Sequence, residues 1–425
     1  MRSFPRVALF EQTFPSKRID SLDQEILQSL SSLHEDPAHF SGKRIAIAVG
    51  SRGIARINEI VQCLVAFLLQ QGADPAIVPS MGSHGGATGE GQRKVLNSFG
   101  ITRESMGVPI LSSLDVEDLG LTEEGIPVKI DRTAWESDGI FLVNRIKPHT
   151  DFKGKIGSGL MKMIAVGLGN REGAIDFHSS IQHIPHEKTI LSKAKFVLTS
   201  GKRIWGLAIL EDANHELAKI EAIPREQILR REQDLFQESQ ELMPSLPVKK
   251  LDFLIIDRIG KDISGTGMDP NVTGRWFRLN SRWQETPDIG RILVRDLSEK
   301  THGNGLGIGL ADFCTERAVR RINRSLTYTN AVTSQNTVTA NIPLYFESDR
   351  AMLDAAVDSL GLNKDPSRIR MIRIQDTLHL GRFWASEALL EELNSYPRIR
   401  SISDKRNLLF DSNGDLLDDE VTVCQ

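Results

Sequence analysis

The 425-residue chain has only three cysteines, Cys63, Cys314 and Cys424, too far apart for a disulfide framework or a close-spaced thiolate metal motif. Three reduced thiols are expected. No apolar run approaches the length of a membrane span, and the opening Met1-Arg2-Ser3-Phe4-Pro5-Arg6 lacks the apolar stretch of a secretory signal. These absences predict a cytoplasmic protein with no membrane partner. An excess of one charge is also missing. With 52 Lys and Arg against 56 Asp and Glu, the formal net charge of -4 draws the chain neither to nucleic acid nor to an anionic surface. Repeats, heptads and low-complexity tracts are absent as well, which removes solenoids and coiled coils from consideration.

What is present is the composition of a water-soluble globular protein, 40% apolar and 25% charged with a mean hydropathy of -0.23. The length exceeds what one core ordinarily supports, so two domains are expected. Residues 44–80 read as one βαβ unit: an apolar strand from Arg44, a helix around Ala55 to Gln71, and a second strand at Ala76–Ser80. That order implies parallel pairing. Both strands run into glycine-rich loops, Gly50-Ser51-Arg52-Gly53 and Gly82-Ser83-His84-Gly85-Gly86. A third strand, Gly139–Asn144, leads into Arg145-Ile146-Lys147-Pro148-His149, where Pro148 biases Lys147 away from helix. The polar residues of all three loops should therefore stand beyond the carboxyl edge of a sheet, where open α/β folds bind ligands. An acidic helical stretch followed by Pro244 and Pro247 reads as a linker. The expected architecture is two α/β domains with parallel-type sheets, residues 1–247 and 248–425, with an active site in the cleft between them.

Five of the ten histidines, His84, His149, His178, His183 and His186, fall in a short part of the chain. Together with Arg52 and the glycine loops they form a candidate site, because separate strand ends converge in this architecture. The segment Lys153-Gly-Lys-Ile-Gly-Ser-Gly-Leu-Met-Lys162 passes from a loop into a helix. Ser158 is its expected cap, and its free N–H groups would suit a phosphate. The spacing is not that of a P-loop, since Met163 follows Lys162 where Ser or Thr belongs. Two readings arise from these residues alone. In one, His84, His149 and His178 bind a metal directly for a hydrolase or lyase reaction; in the other, the protein binds an anion or sugar acid without catalysis.

The first half resembles the nickel-dependent lactate racemase family. Gly82-Ser83-His84 with Thr88 matches the family's histidine motif, Arg52 its substrate arginine, and Pro148-His149 its Pro-His motif. Lys162 matches the cofactor-bearing lysine, and the interval from Lys162 to His178 matches that to the nickel-binding histidine. Two departures stand out. Val49-Gly50-Ser51-Arg52-Gly53 replaces the family's Asp-x-x-Arg-Pro, and the stretch from His149 to Lys162 is slightly longer than the family's.

The resemblance implies a 2-hydroxy-acid racemase or epimerase, acting on a lactate-like or longer acid such as a sugar acid. It implies a nickel-pincer nucleotide (pyridinium-3-thioamide-5-thiocarboxylic acid mononucleotide) tethered to Lys162, with nickel on His178 and with Ser51, Ser158 and Gly159 as phosphate contacts. Proteins that make and insert the cofactor would be its partners. Proton loss from the α-carbon would place charge beside a carboxylate, whereas hydride removal avoids that cost. The two stereoisomers present their hydroxyls on different sides, so two bases are needed. Histidine, with an unperturbed pKa of about 6.5, suits that work, which assigns His84 and His149 as the pair. Arg52 and Lys261 would hold the substrate carboxylate. In the second half, His302 and Asp312 are candidate lining residues, and Ser264, Thr266, Asn271 and Thr273 point to a polar substrate.

Overall fold

The computed structural model describes residues 3–278, 281–361 and 365–417; Cys424 lies outside them. Among the described residues Cys63 and Cys314 are unbridged thiols, and no helix is long and apolar enough to cross a membrane. The chain forms two compact units. One spans Pro15–Met243, and the other joins the chain up to Phe14 with the chain from Pro244 onward. The division thus falls slightly before the expected Pro247, and the first residues belong with the second unit instead of the first. Their strand β1 (Val7–Gln12) is almost wholly buried there, and its partners lie at the far end of the sequence.

In the Pro15–Met243 unit, β2 (Arg44–Val49), β3 (Asp74–Pro79), β4 (Val116–Leu121), β5 (Pro127–Asp131), β6 (Gly139–Arg145), β7 (Arg203–Glu211) and β8 (Leu217–Pro224) follow in chain order. Five of them form a sheet ordered β3-β2-β6-β7-β8, while β4 and β5 pair as a separate ribbon. The first four are mutually parallel and β8 is antiparallel to β7. The βαβ reading of the sequence is met by β2, the helix Ile57–Gln70 and β3. Pro75 and Pro79 cannot donate to a ladder, and β3 accordingly takes the sheet's edge.

Both faces of this sheet are covered, which is why its central strands read as continuous apolar runs. Ile45, Ile47 and Val49 of β2 pack with Ile60, Val61 and Leu64 of the helix Ile57–Gln70. On the opposite face stand Ala46 and Ala48, with Ala208 of β7. These small side chains leave room for the segment that carries Lys162. A methyl on Gly206 would lie 2.4 Å from Leu160 Cδ1, so a glycine in β7 is what lets Leu160 seat on the sheet.

The second unit carries β9 (Lys250–Ile259), β10 (Arg275–Arg278), β11 (Ser281–Gln284), β12 (Asp288–Leu297), β13 (Phe313–Thr315), β14 (Leu344–Phe346), β15 (Met371–Ile374), β16 (Arg382–Ser386) and β17 (Ile399–Ser401). Its main sheet is ordered β14-β13-β12-β9-β15-β16-β1-β17. The first five strands are parallel and the remaining junctions antiparallel, so this sheet is mixed. β1 fills the place between β16 and β17.

The two glycine-rich stretches of this unit pack backbone against backbone. A Cβ on Gly267 would lie 1.8 Å from Leu306 O, and one on Gly307 would lie 2.0 Å from Thr266 O.

Candidate active site

Three loops leave the carboxyl edge of adjacent parallel strands. Arg52 follows β2, His84 follows β3 and His149 follows β6, in the places the sequence assigns to them. The β2 and β3 loops touch directly, through Ser51 Oγ and His84 Nδ1. The His84 loop is fixed from below. Gly82, at φ +59°, donates its N–H to Gly167 O (3.0 Å), and the buried Gln92 amide donates to Gly82 O (3.0 Å). Thr88, part of the histidine motif, caps the helix Gly89–Ser98 by accepting the Gly91 N–H at 3.0 Å.

The β6 loop doubles back on itself. Lys147 and Ser158 exchange backbone hydrogen bonds of 2.9 Å in both directions, which closes the stretch carrying His149 and delivers the chain to Lys162. A Cβ on Gly157 would lie 2.3 Å from Lys147 O, so only glycine permits this closure. The result brings Lys162 Nζ into hydrogen-bond contact with His149 Nε2. The helical turn Leu160–Lys162 continues as a π-helical turn, Met163–Gly167, a feature frequent at functional sites. It is this turn that receives Gly82.

The Lys162–His149 contact couples the protonation of the two groups. His149 Nδ1 accepts the Asp151 N–H at 3.0 Å, and Nε2 faces the Lys162 amine. Both groups are shifted toward their neutral forms. Burial pushes Lys162 down to about 8, aided by the charge of Arg52 and opposed by Asp151. Burial, then Lys162, His186 and Arg52, hold His149 well below the usual histidine range.

His178 sits on the helix Asn170–Ser180, close enough to Lys162 that the lysine's charge, after burial, lowers its pKa. Arg52 keeps solvent exposure as a residue, yet crowding around its guanidinium and the nearby Arg145 lower its pKa, with Asp151 opposing. Thus Arg52, His149, Lys162 and His178 share one electrostatic neighbourhood. A column of rings borders it. His149 stacks on Phe152 at 4.7 Å, Phe152 on His186 at 5.3 Å, and Phe177 meets His178 edge-on at 5.7 Å. His183 is exposed and takes no part in that column.

Several residues of the site carry no motif. Glu211, at the end of β7, pairs with Arg145 and accepts the Ala55 N–H at 2.7 Å, tying the β6 and β2 loops together. Arg145 is therefore engaged by a carboxylate, and the cation acting on Lys162 is Arg52. Asn144 donates to Gly159 O at 2.9 Å. Glu232, distant in sequence, accepts the Met161 N–H at 2.8 Å. This carboxylate corrects the expected Ser158 cap. The turn's first residue is preceded by Gly159, with no side-chain cap, and the terminus expected to cradle phosphate through Ser158 and Gly159 takes the Glu232 carboxyl group on the Met161 N–H.

In the second unit Lys261 Nζ donates to Gly265 O at 2.7 Å. Asp312 pairs with Arg275 at 3.1 Å and accepts the Ile292 N–H at 2.9 Å, a structural use. His302 is exposed and adopts a left-handed conformation at φ +51°. Thr266 bonds Met268 O, Asn271 bonds Asp269 and Thr273 bonds Asp269 O, while Ser264 meets Thr266 at 3.2 Å. These polar groups hydrogen-bond within their own loop. Among the described residues no three His, Cys, Asp or Glu side chains gather as a metal-binding group, so His84, His149 and His178 do not form the direct three-histidine centre of the hydrolase reading.

Residues 16–189 match the family model of the lactate racemase N-terminal domain. Among solved structures, a protein from Thermotoga maritima is similar in fold, with 16% identity and a TM-score of 0.50 over 83% of this chain and 94% of that one. The lactate racemase apoprotein from Thermoanaerobacterium thermosaccharolyticum aligns at 16% identity and a TM-score of 0.41, over 59% of this chain and 66% of that one. No curated protein matches the chain in sequence.

Proposed function

We propose that the chain is a racemase or epimerase acting at C2 of a 2-hydroxy acid, a reading supported by the match of residues 16–189 to the lactate racemase N-terminal domain family model. The observation that carries this reading is the Lys162–His149 contact, in which an amine whose pKa burial lowers to about 8, with help from Arg52, is held against an imidazole and so offers a far larger uncharged fraction than a free lysine. An amine must be uncharged to form a thioamide, and free lysine near pH 7 is almost wholly protonated. Lys162 therefore fits the tether of a nickel-pincer nucleotide, with His178 as the protein's nickel ligand. Bound there, the group would supply a reversible acceptor for the hydride on C2.

The remaining work falls to the chain's own side chains. Arg52 holds the substrate carboxylate through its planar fork. His149 and His84 each take the hydroxyl proton of the stereoisomer on its own side and give one back when that stereoisomer re-forms. His149, held below its usual pKa chiefly by burial, is neutral at pH 7. The Ser51 contact fixes the His84 ring through Nδ1, as an orienting partner would.

Incubating protein produced alongside the cofactor pathway with a panel of single-enantiomer 2-hydroxy acids, followed by chiral separation, tests the reading. Interconversion of at least one acid is expected, and His84→Ala and His149→Ala should each abolish it in both directions. Full turnover by either variant would overturn the base pair, and no conversion of any acid by nickel-loaded protein would overturn the activity.

A further inference from the structure

The helix Ile228–Leu242 buries Ile228, Leu235, Phe236 and Leu242, and in the same core it buries one carboxylate, Glu232, with no exposed surface. A buried Glu is ordinarily paired with a cation. Glu232 is held instead by the backbone. Oε2 accepts the Met161 N–H at 2.8 Å, and Oε1 has no hydrogen-bond partner. Oε1 also lies 2.4 Å from where a Cβ on Gly159 would stand. On the other side of that residue, Asn144 donates to Gly159 O. Gly159 is thus gripped between a strand and a distant helix, immediately before the turn that ends in Lys162.

We propose that Glu232 is a positioning residue for Lys162: its carboxylate anchors the start of the Leu160–Lys162 turn and thereby holds the amine against His149 Nε2. The turn is too short to hold its own geometry, since a single helical turn fixes several dihedral angles for one hydrogen bond. A side chain at Gly159 would ordinarily supply the missing acceptor. Glycine cannot, and Glu232 supplies it from a helix in the core. An apolar core alone would seat Leu160 and Met161 but would leave the Met161 N–H without an acceptor and the direction of Lys162 unfixed. The inference rests on the reading of Lys162 as the cofactor tether for its functional meaning, but not for its geometry.

The rate at which Lys162 of the cofactor-free protein is acylated by acetic anhydride at neutral pH tests it, read by peptide mass spectrometry against the exposed Lys155. Acylation consumes the uncharged amine, so one unit of lost pKa depression lowers the rate about tenfold. Glu232→Ala is expected to slow Lys162 by about that factor and leave Lys155 unchanged. Glu232→Gln keeps an oxygen acceptor for Met161 and is expected to retain the wild-type rate. If the alanine variant does not fold, Glu232→Asp, which draws the carboxylate back by one carbon, takes its place and should also be slowed. A folded Glu232→Ala or Glu232→Asp protein with an unchanged or faster rate overturns the proposal, as does a folded Glu232→Gln protein slowed as much as the alanine variant. Because no cofactor is needed, a wild-type protein that is acylated rapidly but never gains cofactor would sink the tether reading and leave Glu232 in its role.

Discussion

At the residue scale, the site depends on groups whose charge is suppressed. Burial shifts both Lys162 and His149 toward neutrality, and the charges of Lys162 and Arg52 push His149 further. Motif spacing singled out both residues, but it did not indicate the Asp151 N–H that bonds the imidazole's Nδ1. Glu232 is the counterpart of opposite sign. Burial raises it to about 7, against the lowering effect of the Met161 and Leu160 N–H groups. Across the interval from pH 4.5 to 7 the unfolded chain releases this proton while the folded chain retains it, so stability falls as pH rises through that window. The shift corresponds to roughly 3 kcal/mol at most. Glu232→Gln should therefore lose most of this decline and be the more stable protein at pH 8, as measured by urea melts at both ends of the window. Equal slopes in the two proteins would show that the carboxyl does not titrate there.

At the scale of elements, the readable part is what local periodicity and turn chemistry encode. β2, the helix after it, β3 and β6 follow from apolar runs punctuated by glycine, and their parallel order places Arg52, His84 and His149 on one edge. The Glu232 cap was not readable, because no local pattern joins Gly159 to a helix so much later in the chain. The Met163–Gly167 π-turn was also hidden, since nothing in its composition separates it from an α-helix. The glycine loops of the second unit show the same limit. Their composition allowed either a ligand or close packing, and the structure shows the packing. Gly307 has φ +98° and would drive a Cβ to 2.0 Å from Thr266 O. Gly307→Ala combines a disfavoured backbone with a clash against a rigid carbonyl and should cost about 3 kcal/mol or more. Denaturant titration of the full chain checks this, and a loss below about 1 kcal/mol would mean that the loops separate easily.

At the scale of the whole molecule, two α/β units were legible from length and from the proline-rich linker, and the division falls a few residues from the expected place. The exchange of β1 was not. A strand's partner is set by non-local pairing, and Val7–Gln12 reads equally well as the start of either unit. The motifs attributed to the racemase family all lie within residues 16–189, the stretch that matches the family model, whereas Lys261 and Glu232 lie beyond it. The central claim is that Lys162 is the covalent seat of the cofactor. Its most direct test is the mass of the Lys162 peptide together with the nickel content of protein produced with the cofactor pathway, compared between wild type and Lys162→Ala. The account predicts an added nucleotide mass on that peptide and nickel bound in proportion to it, both lost in the variant. An unmodified Lys162 in protein that racemises a 2-hydroxy acid, or an alanine variant that keeps full activity, would contradict it.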